Sequence, residues 1–231
     1  DLTLSTDEEV EASVSSIYGL AWSKTSAVGV AVYGKSSKIY AEAFTSDGSS
    51  LTFGSKFEVC DGSGGADITW DSAANKFLVV VGQSAENSAR DTADAYVLSV
   101  SGTTISSGSR VEVDTSNMYR YGCLAYDEDN NKHLWTYRDN ADSGKLAARI
   151  ITVSGTTPTI GSEVNASSTT TVGSRPVYIG GGKFVVAYEK SSDLHARVIT
   201  VSGTTPSFGT ESSKIDDCNT NDYQHQIAIT Y

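Results

Sequence analysis

The chain has 231 residues, 39% of them hydrophobic, so it can bury a sizeable core and is not disordered by composition. Its formal net charge of −11, with no Lys/Arg cluster, excludes a nucleic-acid binder and disfavours an anionic membrane surface; solubility is the ordinary meaning of such acidity. No apolar run approaches the roughly 20 residues of a membrane span, and Ser, Thr and Gly are abundant beside only 3 Pro, which suits short strands and turns.

In chain order, residues 2–10 read as the outer strand of a unit whose other strands are missing. A first complete unit follows, with strands near 19–22, 28–33, 39–44 and 51–59. A second has strands near 68–70, 77–81, 95–100 and 105–113. In a third, 122–126, 133–137, 145–153 and 159–164 are strands and 127–132 is a polar hairpin loop. A fourth has 176–179, 183–188, 194–201 and a strand from 207 onward, with Gly180-Gly181-Gly182 as its first turn. Residues 226–231 resemble a lone inner strand.

The units are held in phase by a turn motif. Val100-Ser101-Gly102-Thr103-Thr104, Val153-Ser154-Gly155-Thr156-Thr157 and Val201-Ser202-Gly203-Thr204-Thr205 are near copies, and Thr45-Ser46-Asp47-Gly48-Ser49 is a degenerate one. Gly48, Gly102, Gly155 and Gly203 stand 54, 53 and 48 residues apart and are expected to supply positive φ. A second mark follows each turn: Gly54-Ser55, Gly108-Ser109, Gly161-Ser162 and Gly209-Thr210. Trp22, Trp70 and Tyr126 occupy one equivalent position, which predicts aromatic packing between neighbouring units.

Four-stranded antiparallel units of about 40–50 residues match propeller blades better than a β-solenoid or a string of sandwiches. The expected fold is all-β: a β-propeller-like array of about four whole repeats plus partial end strands, forming a single domain over 1–231. The repeats fall near 13–59, 60–113, 114–166 and 167–215, with partial strands at 1–12 and 216–231. No signal peptide is visible and the chain starts at Asp1 rather than Met. With the incomplete end units, this leads us to expect an excerpt of a longer protein, or edges completed by another subunit.

Candidate chemistry is sparse. Asp127, Asp129 and Asn131 alternate as Ca²⁺ ligands do, but Lys132 replaces the loop glycine and Arg138 the bidentate carboxylate of an EF-hand, so the stretch reads as a hairpin turn. His133, His195 and His225 share neither phase nor carboxylate, and Cys60, Cys123 and Cys218 form no CxxC pair, so no metal and no cofactor is expected. Three cysteines allow at most one internal disulfide. Asn165-Ala166-Ser167 makes Asn165 a candidate glycosylation acceptor. Tyr119, Tyr121 and Tyr223 are candidates for stacking on sugars, or for packing between blades. No G-x-S-x-G elbow, P-loop or dinucleotide fingerprint occurs, and Asp and Glu are scattered with no repeated inward position, so the sequence reads as non-catalytic.

The run from Ala148 through Thr157, followed by Ile160-Gly161-Ser162-Glu163-Val164, resembles a repeat of bacteriophage tail and virion appendage proteins; residues 196–205 with Phe208-Gly209-Thr210 repeat it. The likeness spans nearly the whole chain and is weakest in the first unit. It implies a non-catalytic structural subunit of a virion surface or extracellular assembly, with attachment as an attendant role. The expected partners are other copies or neighbouring structural subunits, and a cell-surface glycan, with no nucleic acid and no membrane insertion. Two alternatives are a carbohydrate-binding propeller (a lectin or adhesin) and a subunit of a secreted fibril.

Overall fold

The computed structural model describes residues 11, 13–62, 64–82, 92–114, 118–166 and 170–217. The end strands expected at 2–10 and 226–231 lie outside this set. The described residues form four antiparallel sheets in chain order and no helix. The first holds β1 (Ser16–Ser23), β2 (Val28–Lys35), β3 (Lys38–Ser46), β4 (Leu51–Phe53) and β5 (Phe57–Asp61). The second holds β6 (Ala66–Asp71), β7 (Lys76–Gly82), β8 (Ala93–Ser101), β9 (Thr104–Ser107) and β10 (Val111–Asp114). The third holds β11 (Met118–Asp127), β12 (Lys132–Asp139), β13 (Lys145–Ser154), β14 (Thr157–Ile160) and β15 (Val164–Asn165). The fourth holds β16 (Thr171–Gly180), β17 (Lys183–Lys190), β18 (Asp193–Ser202), β19 (Thr205–Phe208) and β20 (Asp216–Asp217).

Each sheet is a meander, so this is a β-propeller-like array. It differs from the sequence expectation in one respect. The fourth strand of each unit is split, and both pieces pair with the third. The break falls at the second sequence mark. Gly54, Gly108, Gly161 and Gly209 still donate to the carbonyls of Ala43, Val97, Ile150 and Val198, so the ladder continues through the interruption.

Periodicity explains the core. On β2, Val28, Val30 and Val32 are buried toward the second sheet, where they meet Ile68, Phe77, Val79 and Leu98. The opposite face of the second sheet (Leu78, Val80, Ala95, Val97) takes Leu124, Trp135, Tyr137 and Ile151 of the third. The third sheet's Leu134, Leu146, Ala148 and Ile150 receive Phe184, Val186, Tyr188 and Ile199. The middle strands of the second and third sheets are therefore apolar on both faces, as expected where a sheet is packed between two others.

The turn glycines adopt positive φ: Gly48 +92°, Gly102 +58°, Gly155 +62° and Gly203 +59°. Their turns also explain the second sequence mark. A Cβ on Gly54 would lie 2.1 Å from the Thr103 carbonyl oxygen, on Gly108 2.0 Å from that of Thr156, and on Gly161 2.2 Å from that of Thr204. The Ser-Gly-Thr-Thr turn of each sheet thus docks on a side-chain-free patch of the sheet before it. The two motifs keep phase because they touch.

Candidate functional site: a ring of inner-strand side chains

The inner strands β1, β6, β11 and β16 neighbour one another in sequence order. Their registers place Trp22 opposite Gly29, Trp70 opposite Phe77, Tyr126 opposite His133 and Tyr178 opposite Phe184, so these four aromatics are equivalent. Three residues before each stand Gly19, Asp67, Cys123 and Arg175. The repeat makes the positions equivalent, yet their chemistry differs completely.

The four come together around Asp67. Its Oδ1 accepts the Ile68 amide at 2.8 Å, and its Oδ2 accepts the Leu124 amide of the next sheet at 2.8 Å. Gly19 opens the first sheet to it, since a Cβ there would sit 3.0 Å from Asp67 Oδ1. Arg175 Nη1 lies 3.6 Å from Asp67 Oδ2 and donates to Cys123 Sγ at 3.5 Å. The Arg175 side chain keeps 33% exposure, while Asp67 is buried.

Burial pushes the Asp67 carboxyl up to about 6, against the two amides and Arg175, which favour the anion. It therefore changes charge in the range useful to a general acid or base. Burial, and then the Asp67 charge, push the Cys123 thiol up to about 12, so it stays protonated and is no nucleophile at neutral pH. The raised Asp67 value has a stability sign. A carboxyl harder to ionise when folded stabilises the fold below the unfolded pKa, and this is lost as pH rises through about 6. Replacing Asp67 by Asn removes the titration, and leaves an NH2 facing one of the two amides at a pH-independent cost. The stability advantage of the native chain over Asp67→Asn is expected to shrink by on the order of 2–3 kcal/mol between about pH 4 and pH 7. Urea unfolding of both proteins across that range checks it; an advantage that grows with pH contradicts it.

The residues singled out in the sequence lie elsewhere. Trp70 is half-buried against the first sheet, and its indole N–H donates to Asn75 Oδ1 at 3.4 Å. Trp22 is 37% exposed, with its ring 5.9 Å from that of Phe44. Tyr126 donates to Asp71 Oδ1 of the second sheet at 3.0 Å. Tyr178, its equivalent in the fourth sheet, bonds Asp129 of the third. Asn165 is exposed and donates to Asp142 Oδ2 at 2.8 Å. Ser167, Cys218, Tyr223, His225 and the side chains of Tyr119 and Tyr121 lie outside the described residues.

The loop carboxylates are consumed by the fold. Asp127 Oδ1 accepts the amides of Asp129 and Asn130, both at 3.1 Å, and Asn131 takes φ +54° to close the hairpin. Among the described residues no group of three or more His, Cys, Asp and Glu is placed to hold a metal ion. His133 is wholly buried between the second and third sheets. Its Nε2 donates to Asp71 Oδ2 at 3.1 Å, because a carboxylate can only accept, and its Nδ1 accepts Thr69 Oγ1 at 2.9 Å. Burial lowers its pKa, so it is neutral at pH 7 and joins the sheets rather than titrating.

No family model and no curated protein matches the chain. Solved structures do. The Hadza microbial sialidase Hz136 aligns with TM-score 0.54 at 11% identity, covering 87% of this chain and 47% of that one. The endo-arabinase from Bacteroides thetaiotaomicron aligns with TM-score 0.53 at 10% identity, covering 89% and 82%. An exo-β-1,3-galactanase from Phanerochaete chrysosporium aligns with TM-score 0.53 at 9% identity, covering 87% and 50%. The chain spans about half the length of the sialidase and the galactanase. At such identities the likeness is one of fold.

These structures correct the reading of the sequence as non-catalytic. All three are named as enzymes on this architecture, so the lack of a short catalytic motif excludes nothing. The physical reason is visible here. Asp67, Cys123 and Arg175 belong to three different sheets and meet only through the packing, so no local pattern announces them. A search for a repeated inward carboxylate passes over Asp67, which takes such a position in one sheet only. The available signal was the third residue before each aromatic, which changes from Gly to Asp to Cys to Arg while its surroundings repeat.

Proposed function

We propose that this chain is a carbohydrate-directed propeller that engages a glycan at the inner-strand ring. The observation carrying this reading is the Asp67–Arg175 pair, a buried acceptor and a part-exposed five-donor guanidinium 3.6 Å apart at otherwise repeat-equivalent positions. A carboxylate beside a guanidinium can accept from and donate to adjacent sugar hydroxyls at once. The carbohydrate enzymes that share the fold support the same ligand class. Asp67 also has the protonation range of a general acid. Glycosidic hydrolysis needs a second carboxylate across the bond, and within the ring Asp67 is the only one.

A glycan-array screen followed by calorimetry is expected to find a ligand whose affinity falls at least about tenfold in Arg175→Met and in Asp67→Asn. A ligand bound equally well by both variants overturns the assignment of the site. Turnover of the bound glycan, lost in Asp67→Asn and falling as pH rises through about 6, identifies Asp67 as the acid.

A place in a virion-surface or extracellular assembly is a second proposal. Its support is the tail-protein-like Ser-Gly-Thr-Thr repeat and the pair of end-sheet faces that no other described sheet covers.

A further inference from the structure

The two ends of the array are opposite halves of one interface. The molecule makes this interface three times, between each sheet and the next. Two residues before the ring aromatics, Ile68 and Leu124 are 4% and 6% exposed against the preceding sheet, whereas Leu20 in the first sheet is 63% exposed. On the third strands, Ala43, Val97 and Ile150 are 0% exposed against the following sheet, whereas their equivalent Val198 is 40% exposed. The glycine contact shows the same asymmetry. Gly54, Gly108 and Gly161 are each covered by the turn of the following sheet, while a Cβ on Gly209 would meet only Val198 of its own sheet. The first sheet carries the matching turn, with exposed Ser49 at the position of Thr103.

We propose that copies of this chain associate head to tail, the Leu20–Trp22 face of one seated on the Val198 face of another, with Gly209 receiving the Ser49 turn. The occupant follows from complementarity. Each end face, uncovered among the described residues, is shaped for the other half of a contact already made within the chain, and a second copy carries both halves. The contact is heterologous, since different surfaces meet, so repeating it closes a ring or extends a chain according to the rotation between copies. This inference is independent of the glycan reading, because the end faces include none of Gly19, Asp67, Cys123 and Arg175.

Sedimentation equilibrium of the 231-residue chain from about 1 µM to about 1 mM tests it, the window of weak specific association. Salt near 0.5 M shortens the screening length to about 4 Å and suppresses repulsion between the acidic chains. The native mass is expected to rise to that of a dimer or a larger oligomer. Leu20→Glu and Val198→Glu, both at exposed positions, are each expected to remain monomeric. Their equimolar mixture is expected to stop at a one-to-one dimer, because one intact interface survives between them. Gly209→Ala, which disturbs its own sheet least, is expected to weaken association in the same assay, and serves if either charged variant loses its cooperative melt. A native chain that stays monomeric throughout overturns the proposal. So does association that all three substitutions leave unchanged, or a mixture that fails to pair.

Discussion

Replacing Trp135 by Ala is expected to lower the unfolding free energy by about 3–5 kcal/mol, the range for removing a large buried aromatic. The indole is 1% exposed in the contact between the second and third sheets and stacks on Tyr137 with centroids 4.0 Å apart. The site cannot close over the loss. Opposite the ring stands Gly122, where a Cβ would fall 2.2 Å from Trp135 Nε1, so the backbone has been cleared for this side chain. Trp22 provides the contrast. With 37% exposure and no sheet on its outer side among the described residues, Trp22→Ala is expected to cost below about 2 kcal/mol in the monomer. Denaturant unfolding of both variants separates the two cases; similar losses would contradict the packing described here.

The second large effect is expected at Arg149. Its Nη2 lies 3.1 Å from both Asp114 Oδ2 of the preceding sheet and Glu163 Oε2 of its own, and its Nε donates to Tyr137 Oη at 3.1 Å. Tyr137 has a single proton, given to Asp114 Oδ2 at 2.6 Å, while burial raises the Glu163 carboxyl above its ordinary value. Arg149→Met removes the guanidinium from between the buried Asp114 and Glu163 carboxyls, which is expected to cost about 3 kcal/mol near neutral pH. The sign with pH follows. Without the guanidinium the carboxyls ionise less readily in the folded state, so the loss is greatest at high pH and is partly recovered near pH 5. Arg149→Met with Glu163→Gln is expected to regain much of it. Chemical denaturation at about pH 5 and pH 8 distinguishes this from a plain packing defect, which would not vary with pH.

The fourth sheet repeats the arrangement with another outcome. Arg197 Nε donates to Tyr188 Oη at 2.9 Å, and its Nη2 to Glu211 Oε2 at 3.1 Å. Burial alone would raise Glu211, but Lys190, Tyr188 and Arg197 together hold it down at about 2. Here Lys190 stands in place of a second carboxylate. In the first two sheets the polarity is reversed: Lys56 and Arg110 follow the glycine mark, and acids occupy the third strand, with Arg110 Nη1 3.0 Å from Asp94 Oδ1. The second residue after the glycine mark is therefore charged and ion-paired in every sheet: Lys56 with Glu11, Arg110 with Asp94, Glu163 with Arg149 and Glu211 with Arg197.

The sequence by itself determined the repeat, the strand order within each unit and the positive-φ turns, because these follow from local rules. Alternating apolar residues set the strands, and glycine in a Ser-Gly-Thr-Thr frame sets the turn at Gly102, Gly155 and Gly203. Only the tertiary structure decided why the Gly-Ser mark exists, since its cause is a backbone oxygen of the neighbouring sheet about 2 Å from where a Cβ would stand. It also decided where the chemistry gathers. Periodicity selects the residues that every unit shares, and therefore drew the sequence reading to the turns and to Trp22, Trp70 and Tyr126. The ring of Gly19, Asp67, Cys123 and Arg175 is defined by what the units do not share. Its members meet because inner strands remote along the chain converge, and the Asp67 carboxyl is raised by burial that no local stretch of sequence encodes.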